Sequence, residues 1–250
     1  MRQEAENSSP YAPVNNLFAY ATKELSQDAF ICWLCAQSGN ESDDVARKAS
    51  QALLHAFLSD DDADKPIKVL EIRKQFLRID VALFVEDGRG ERHWIIVEDK
   101  TDGTESKDQL EKYRKALKKA VDNREIADAE ICRVYYKSGY ATRWELQRIG
   151  KDVVVVTRPT MIELLEGAFR SADGVTADTS GILKDYYRKL KDEEDVLGRY
   201  KENPIYEWAP SDFLEYFDKE LCKALEGLGC DVFWLGRNDN PNGGRYSISC

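Results

Sequence analysis

Histidine is almost missing from this chain. His55 and His93 are the only two among 250 residues, so catalysis built on imidazole finds little support, and so does a zinc centre with imidazole ligands. No apolar run approaches the roughly 20 residues needed to cross a bilayer. Residues 1–7 carry no apolar segment of the secretory kind, so the chain reads as cytoplasmic, with no membrane partner. An excess of positive charge is missing too: 36 Lys and Arg face 46 Asp and Glu, a net of −10. That disfavours a broad, non-specific nucleic-acid binder, whose affinity comes from neutralising phosphates. It leaves room for an enzyme with a local basic strip and a metal in an acidic pocket. The six cysteines include one C-x-x-C, Cys32 and Cys35, but no second pair at zinc-ribbon spacing. That pair lies inside the apolar helical run Phe30-Ile31-Cys32-Trp33-Leu34-Cys35-Ala36, where buried thiols are expected rather than metal or redox chemistry.

What is present suffices for one large domain, or for one domain with a smaller appendage: 250 residues, 42% of them hydrophobic. Residues 1–13 form a polar lead-in. Leu17, Tyr20, Ala21 and Leu25, then Ala29, Trp33 and Ala36, recur at helical spacing, with Ser26-Gln27-Asp28 as an interruption or as the cap of a second segment. Ser42-Asp43-Asp44 opens another helix with Val45, Ala49, Ala52, Leu53 and Phe57 on one face. The acidic stretch 59–66 closes it and lacks the glycine and terminal glutamate of a calcium loop. Strands are expected at 67–76, 78–85 and 93–99, the last two joined by the turn Glu86-Asp87-Gly88-Arg89-Gly90. Thr101-Asp102-Gly103 breaks the third strand. Ser106-Lys107-Asp108-Gln109 has the form of a capping box, opening a helix with Leu110, Tyr113, Leu117 and Val121 on one face. A strand at 130–137, a buried strand of four valines at 152–157 and a helix from Thr160 follow. Beyond Ser171 the texture changes. A linker-like 171–174 precedes a charged helix at 182–200 and an amphipathic one at 211–228, with Phe213, Phe217, Leu221, Ala224 and Leu225. Two strands at 232–236 and 245–249 flank a turn-rich loop, and the last arm reads as truncated.

The residues that carry chemistry end two of the strands. Asp80 follows Phe76-Leu77-Arg78-Ile79, and Glu98-Asp99-Lys100 closes the apolar run Trp94-Ile95-Ile96-Val97. Side chains alternate faces along a strand, so Glu98 and Lys100 share one face and Asp99 takes the other. If the strands pair, Asp80 and Glu98 converge beside the Lys100 ammonium. Magnesium takes oxygen ligands and keeps several waters, so two carboxylates and the Asp99 carbonyl make a sufficient protein set. Such an ion activates water and polarises a phosphoryl oxygen, while Lys100 orients that water or meets developing negative charge. The alternative is a surface ion pair worth ~0–1 kcal/mol. Against it, Glu98 ends a strongly apolar strand, where an unpaired carboxylate is costly to bury. Gln109 and Tyr113 share a helix face, either to contact phosphate, water or a ligand carboxylate, or as a helix cap and a core aromatic. Glu24 alone reads as an ordinary exposed helix residue. Lys112, Arg114, Lys115, Lys118 and Lys119 either guide a phosphate backbone or form a solvated face.

Together these residues resemble the PD-(D/E)XK nuclease superfamily over roughly residues 14–160. The signature strands run through Ile79-Asp80, with Ile79 in place of the motif's proline, and Val97-Glu98-Asp99-Lys100. Gln109-Leu110-Glu111-Lys112-Tyr113 looks like the Q-x-x-x-Y extension of the RecB-like and Cas4-like branch. Glu24-Leu25-Ser26-Gln27-Asp28-Ala29-Phe30 is similar to the helical motif of an uncharacterised bacterial group within it. The resemblance implies an α/β, restriction-endonuclease-like αβββαβ core over 1–170, a mixed sheet flanked by helices, with an α+β appendage over 171–250. It implies that Asp80 and Glu98 bind metal, with Asp99 in the set and Glu24 completing the acidic cluster. Lys100 would be catalytic, with Asp80 and Glu98, and Gln109 and Tyr113 would support substrate binding. The implied activity is phosphodiester hydrolysis in DNA with magnesium, or manganese as its substitute, in bacterial restriction, repair or defence. Two other readings stay open: a nuclease-like fold that binds or regulates without cutting, and a magnesium enzyme acting on RNA. Oligomeric state is not legible.

Overall fold

Local signals place the elements, and the computed structural model describes residues 16–20, 24–60, 65–101, 108–171, 181–230, 232, 234–238 and 245–249. The polar lead-in, acidic residues 61–64, the strand break at 102–103, the first half of the capping box, the linker at 172–174, the loop at 239–244 and Cys250 lie outside them. Three helices come first: Leu17–Tyr20 (α1), Glu24–Ala36 (α2) and Asp44–Leu58 (α3). Asp43 caps α3, its carboxylate accepting from Ala46 N at 3.0 Å. Lys68–Phe76 (β1), Ile79–Glu86 (β2) and Arg92–Lys100 (β3) then form an antiparallel meander. Gly90, at φ 83°, supplies the left-handed residue that the β2–β3 turn requires. Gln109–Asp122 (α4) carries the chain to Glu130–Lys137 (β4), and Arg143–Arg148 (α5) carries it to Val153–Thr157 (β5). Both strands add in parallel, and parallel neighbours need such crossovers. The result is a mixed five-stranded sheet in the order β1-β2-β3-β4-β5, with the αβββαβ order expected. Arg158–Ser171 (α6), Gly181–Asp195 (α7), Pro210–Tyr216 (α8), Cys222–Gly227 (α9) and an antiparallel ribbon of Trp234–Asn238 (β6) with Arg245–Ser249 (β7) complete the described chain.

Strand β3 is central and covered on both faces, which explains its unbroken apolar run. Val81, Leu83, Val85, Ile95 and Val97 join one apolar cluster with Phe30, Leu53, Phe57, Leu165 and Leu190 of the helices. Ala82, Phe84, Trp94 and Ile96 join a second with Leu110, Tyr113 and Leu117 of α4. Among the described residues, no helix is long and apolar enough to cross a membrane.

Several sequence expectations need correction. On α2 the stripe Leu25, Ala29, Trp33, Ala36 is the outer one, with Leu25 54% exposed. The buried face is Gln27, Asp28, Phe30, Ile31, Leu34 and Cys35, so two polar residues occupy core positions. The helix starts at Glu24 rather than after a cap at 26–28. The valines of β5 form a sheet edge, and of them only Val156 is fully buried. Helix α5 gave no recognised signal, although Thr142 caps it by accepting from Glu145 N at 3.2 Å. Residues 210–227 fold as α8 and α9 joined by a π-helical turn, Phe217–Leu221. Their buried face carries Asp212, Glu215, Asp218 and Cys222 instead of Phe213 and Phe217. Helix α7 ends at Asp195 and places Leu183, Tyr186 and Leu190 in the main cluster. The Tyr186 and Tyr136 hydroxyls meet at 2.6 Å. The core therefore continues across the boundary drawn at 170.

If α7 belongs to this core, Leu190→Ala removes a fully buried side chain from it and should cost about 2–5 kcal/mol. The measurement is urea unfolding followed by circular dichroism, with one transition at a lower midpoint. An unmoved midpoint would show that α7 folds apart from the sheet.

Candidate functional site

Register brings the acids together. Strands β2 and β3 pair through Val81 opposite Val97, and one further step of that antiparallel register sets Asp80 opposite Glu98, on one face. Ladder pairing gives way there to a side-chain contact: Asp99 N donates to Asp80 Oδ2 at 3.1 Å. Glu98 is fully buried. Its Oε1 lies 2.6 Å from Lys100 Nζ, and its Oε2 accepts from Gln109 Nε2 at 2.8 Å. Gln109 Nε2 also reaches the Tyr113 hydroxyl at 2.6 Å, so both α4 residues close on Glu98. Gln109 is the first residue of α4, and Asp108 before it, at φ 62°, makes no side-chain cap. The Nε2 amide of Gln109 thus serves the strand.

Lys100 Nζ donates to the Asp99 carbonyl at 3.1 Å, which places that carbonyl on the Glu98 side. The Asp99 carboxylate points to the other face, as strand alternation requires. There it accepts from Gln27 Nε2 and packs beside Asp28, all three side chains being buried. Gln75 ties the two faces: its Nε2 lies 3.1 Å from Asp28 Oδ2 and 3.3 Å from Asp80 Oδ1. Glu24 sits at the rim, half exposed, with Oε2 3.9 Å from Lys100 Nζ and Oε1 accepting from Thr101 N at 3.4 Å. Sequence reasoning assigned no part to Gln27, Asp28 or Gln75. For the first two a signal existed, because they stand at the i−3 and i−4 positions of the Ile31 and Leu34 stripe.

Burial dominates the electrostatics. It pushes the Glu98 carboxyl up to about 7, against the opposing pull of Lys100. Asp28 and Asp99 are raised as well, first by burial and then by neighbouring carboxylates that include Asp80. A divalent cation would offset this repulsion. Asp80, Glu98 and the Asp99 carbonyl are hard oxygen donors that suit magnesium or manganese, so the residues present fit such an ion. Among the described residues, however, the carboxylates here do not bring three ligand atoms within 4.8 Å of one another. Asp87, Glu91 and His93 do meet that distance, at the opposite end of β2 and β3. There Asp87 accepts from the backbone of Arg89 and Glu91 at 2.8 and 2.9 Å, which accounts for it as turn structure.

The basic strip of α4 is partly spent within the fold. Glu111 takes Arg114 at 2.7 Å, Lys115 at 3.8 Å and Arg133 of β4 at 3.3 Å. Lys112 borders a cleft beside Gln109 and Tyr113.

A family model described as the PD-(D/E)XK nuclease superfamily matches residues 15–188. No curated protein and no solved structure matches the chain.

The raised carboxyls bind protons more tightly folded than unfolded. Stability from this source is therefore present at low pH and is lost as pH rises through the folded value, about 7 for Glu98. The melting temperature of the metal-free protein should fall between about pH 5 and pH 8, with Glu98 contributing at most roughly 3 kcal/mol. Glu98→Gln should flatten that fall, and thermal melts across the range measure it. A variant as steep as the parent would mean that Glu98 titrates as an ordinary carboxylate.

Proposed function

The chain belongs to the PD-(D/E)XK nuclease superfamily, and from that footing we propose that it hydrolyses phosphodiester bonds in DNA with magnesium, or with manganese in its place, in bacterial restriction, repair or defence. The observation that carries the reading is the convergence of Asp80, Glu98 and Lys100 where β2 begins and β3 ends, with Gln109 and Tyr113 closing on Glu98. Asp80, Glu98 and the Asp99 carbonyl, with Glu24 at the rim, would hold the ion, which when bound supplies charge to polarise the phosphate and acidify a water.

The chain's own groups do the rest. Burial lowers the Lys100 pKa, but Glu98, Glu24 and Asp80 more than reverse this and hold it above the ordinary lysine value. In the metal-free protein Lys100 is therefore held as a cation. It orients the attacking water and meets the negative charge that builds on the phosphate oxygens. Gln109 and Gln75 each fix one carboxylate oxygen, of Glu98 and Asp80 respectively, so neither acid needs to reorganise during the reaction. Gln27 and Asp28 hold the Asp99 side of the strand and so keep its carbonyl turned toward Lys100.

The rival reading, a nuclease-like fold that binds without cutting, draws on the net charge of −10. The intact Asp80, Glu98 and Lys100 favour the enzyme. Cleavage assays with magnesium and manganese on single-stranded, double-stranded and branched DNA, with RNA alongside, separate them. Glu98→Gln and Lys100→Ala should each lower turnover at least about 100-fold while circular dichroism shows the parent fold. Should both cut as well as the parent, the two residues form only an ion pair and the binding module takes over. Cleavage of RNA alone would correct the substrate.

A further inference from the structure

The root of the β2–β3 turn gathers ligand-type side chains away from the site described above. Asp87, Glu91 and His93 each offer one atom, and these atoms lie within 4.8 Å of one another. His93 and Glu98 stand five residues apart on β3, about 17 Å along the strand, so the group belongs to the other end of the sheet. The turn itself claims only half of the Asp87 carboxylate. Its Oδ1 accepts from Arg89 N and Glu91 N at 2.8 and 2.9 Å. Its Oδ2 is left to face His93 Nε2 at 3.3 Å.

The imidazole is the observation that points to a ligand. His93 is only 8% exposed, and beyond Asp87 its ring makes no hydrogen bond, Nδ1 being buried without one. A buried polar ring in that state is costly. Pairing with Val85 on one side and Glu130 on the other fixes the His93 backbone inside the sheet, so the ring is positioned before any ion arrives. The spacing to Asp87 suits an ion better than a hydrogen bond. A charge-assisted N–H···O contact is about 2.7–2.9 Å long. Two ligand atoms on a tetrahedral ion with bonds of about 2.0–2.1 Å stand about 3.3–3.4 Å apart. On the far side of the ring, Glu130 Oε2 lies 3.6 Å from Nδ1. Metal-bound histidines commonly give their second N–H to a carboxylate, and Glu130 stands where that partner is needed. Charge points the same way. Among the described residues no lysine or arginine pairs with Asp87, Glu91 or Glu130, and Arg89 of the same turn reaches Asp60 instead.

We propose that Asp87 Oδ2, Glu91 and His93 Nε2 bind a divalent transition-metal ion, with Glu130 as the outer partner of His93 and water completing the shell. Zinc is the ion that one imidazole and two carboxylates suit best. A scarcity of histidine argues against a centre built on several imidazoles; here one suffices, because carboxylates supply the rest. The ion clamps the β2–β3 turn to the start of β4. Its role is structural, and the site stands whether or not the nuclease reading does.

The test takes the full chain, stripped of metal by dialysis against a chelator, with zinc alone as the probe. Uptake is read by competition with a chromophoric chelator in the parent, Glu91→Gln, His93→Gln and Glu130→Gln, while Glu98→Gln reports separately on the candidate catalytic acids. The parent should show one zinc site that persists in Glu98→Gln. Its affinity should fall roughly 10–100-fold in Glu130→Gln, and by at least as much in Glu91→Gln and His93→Gln. Zinc at about a hundred times its dissociation constant should raise the parent's melting temperature by roughly 5–10 °C, a rise that Glu91→Gln loses at the same concentration. Glu91 is exposed and makes no side-chain bond among the described residues, so this variant decides the matter even if His93→Gln does not fold. A parent that takes up no zinc overturns the site, and so does uptake that Glu91→Gln leaves unchanged. Uptake abolished by Glu98→Gln assigns the ion to the catalytic acids and overturns it equally.

Discussion

Burying the Glu98 carboxylate is the constraint from which the rest of this site follows. A charge at the end of an apolar strand, with no exposure to water, is tolerated only when hydrogen-bonded and paired. Lys100 supplies the counter-charge from the same strand. Gln109 supplies an amide from α4, which requires that the first turn of that helix lie against the end of β3. Asp80 meets the neighbouring backbone amide at Asp99. The crossover from β3 to β4 is thereby tied at its start by polar contacts and along its length by Leu110, Tyr113 and Leu117. Removing the Glu98 charge thus touches the contacts to Lys100 and Gln109 together.

Strand periodicity makes this site two-sided. Glu98 and Lys100 face α4, and Asp99 between them faces α2, where Gln27 and Asp28 await it. The rear group fastens the first long helix to β3 through polar contacts at core positions, an arrangement that apolar packing would supply more cheaply. Its value lies in coupling. Gln75 spans Asp28 and Asp80, so one side chain at the end of β1 links the front carboxylate to the rear ones. Glu24 stands at the start of the same helix, beside Lys100. Only a helix held in rotation by Gln27 and Asp28 keeps it there.

What could be read from the sequence follows from which signals are local. The meander β1–β2–β3, the helix after it and the convergence of Asp80 with Glu98 were legible because alternation, glycine turns and helical period each act within a few residues. Gln109 and Tyr113 were legible as a pair but not in purpose, since a helix cap and a contact to Glu98 leave the same spacing. The buried faces of α2 and of α8 with α9 were misread for a shared reason. Polar residues hold core positions there, Gln27 and Asp28 in one case and Asp212, Glu215 and Asp218 in the other. A hydrophobic stripe chosen from apolar residues alone then rotates to the wrong side. The Leu77-Arg78 turn escaped notice because neither residue carries the glycine or asparagine by which such turns are recognised. Tertiary placement of α7 had no local signal at all, as its contacts to Tyr136 span fifty residues.

The charge balance is reconciled with a nucleic-acid substrate by where the cations lie. A net of −10 gives no broad attractive field. On α4 the apparent basic strip is thinned by Glu111, whose carboxyl is held down to about 2 by Arg114 and its neighbours. Near the acidic group stand Lys100, paired with Glu98, and, beside Gln109 and Tyr113, Lys112 and Arg78. A strand bound by so few phosphate contacts gains little from long-range attraction and much from fit. On the nuclease reading, selection of substrate would rest on local geometry, where Gln75 ties the end of β1 to Asp80.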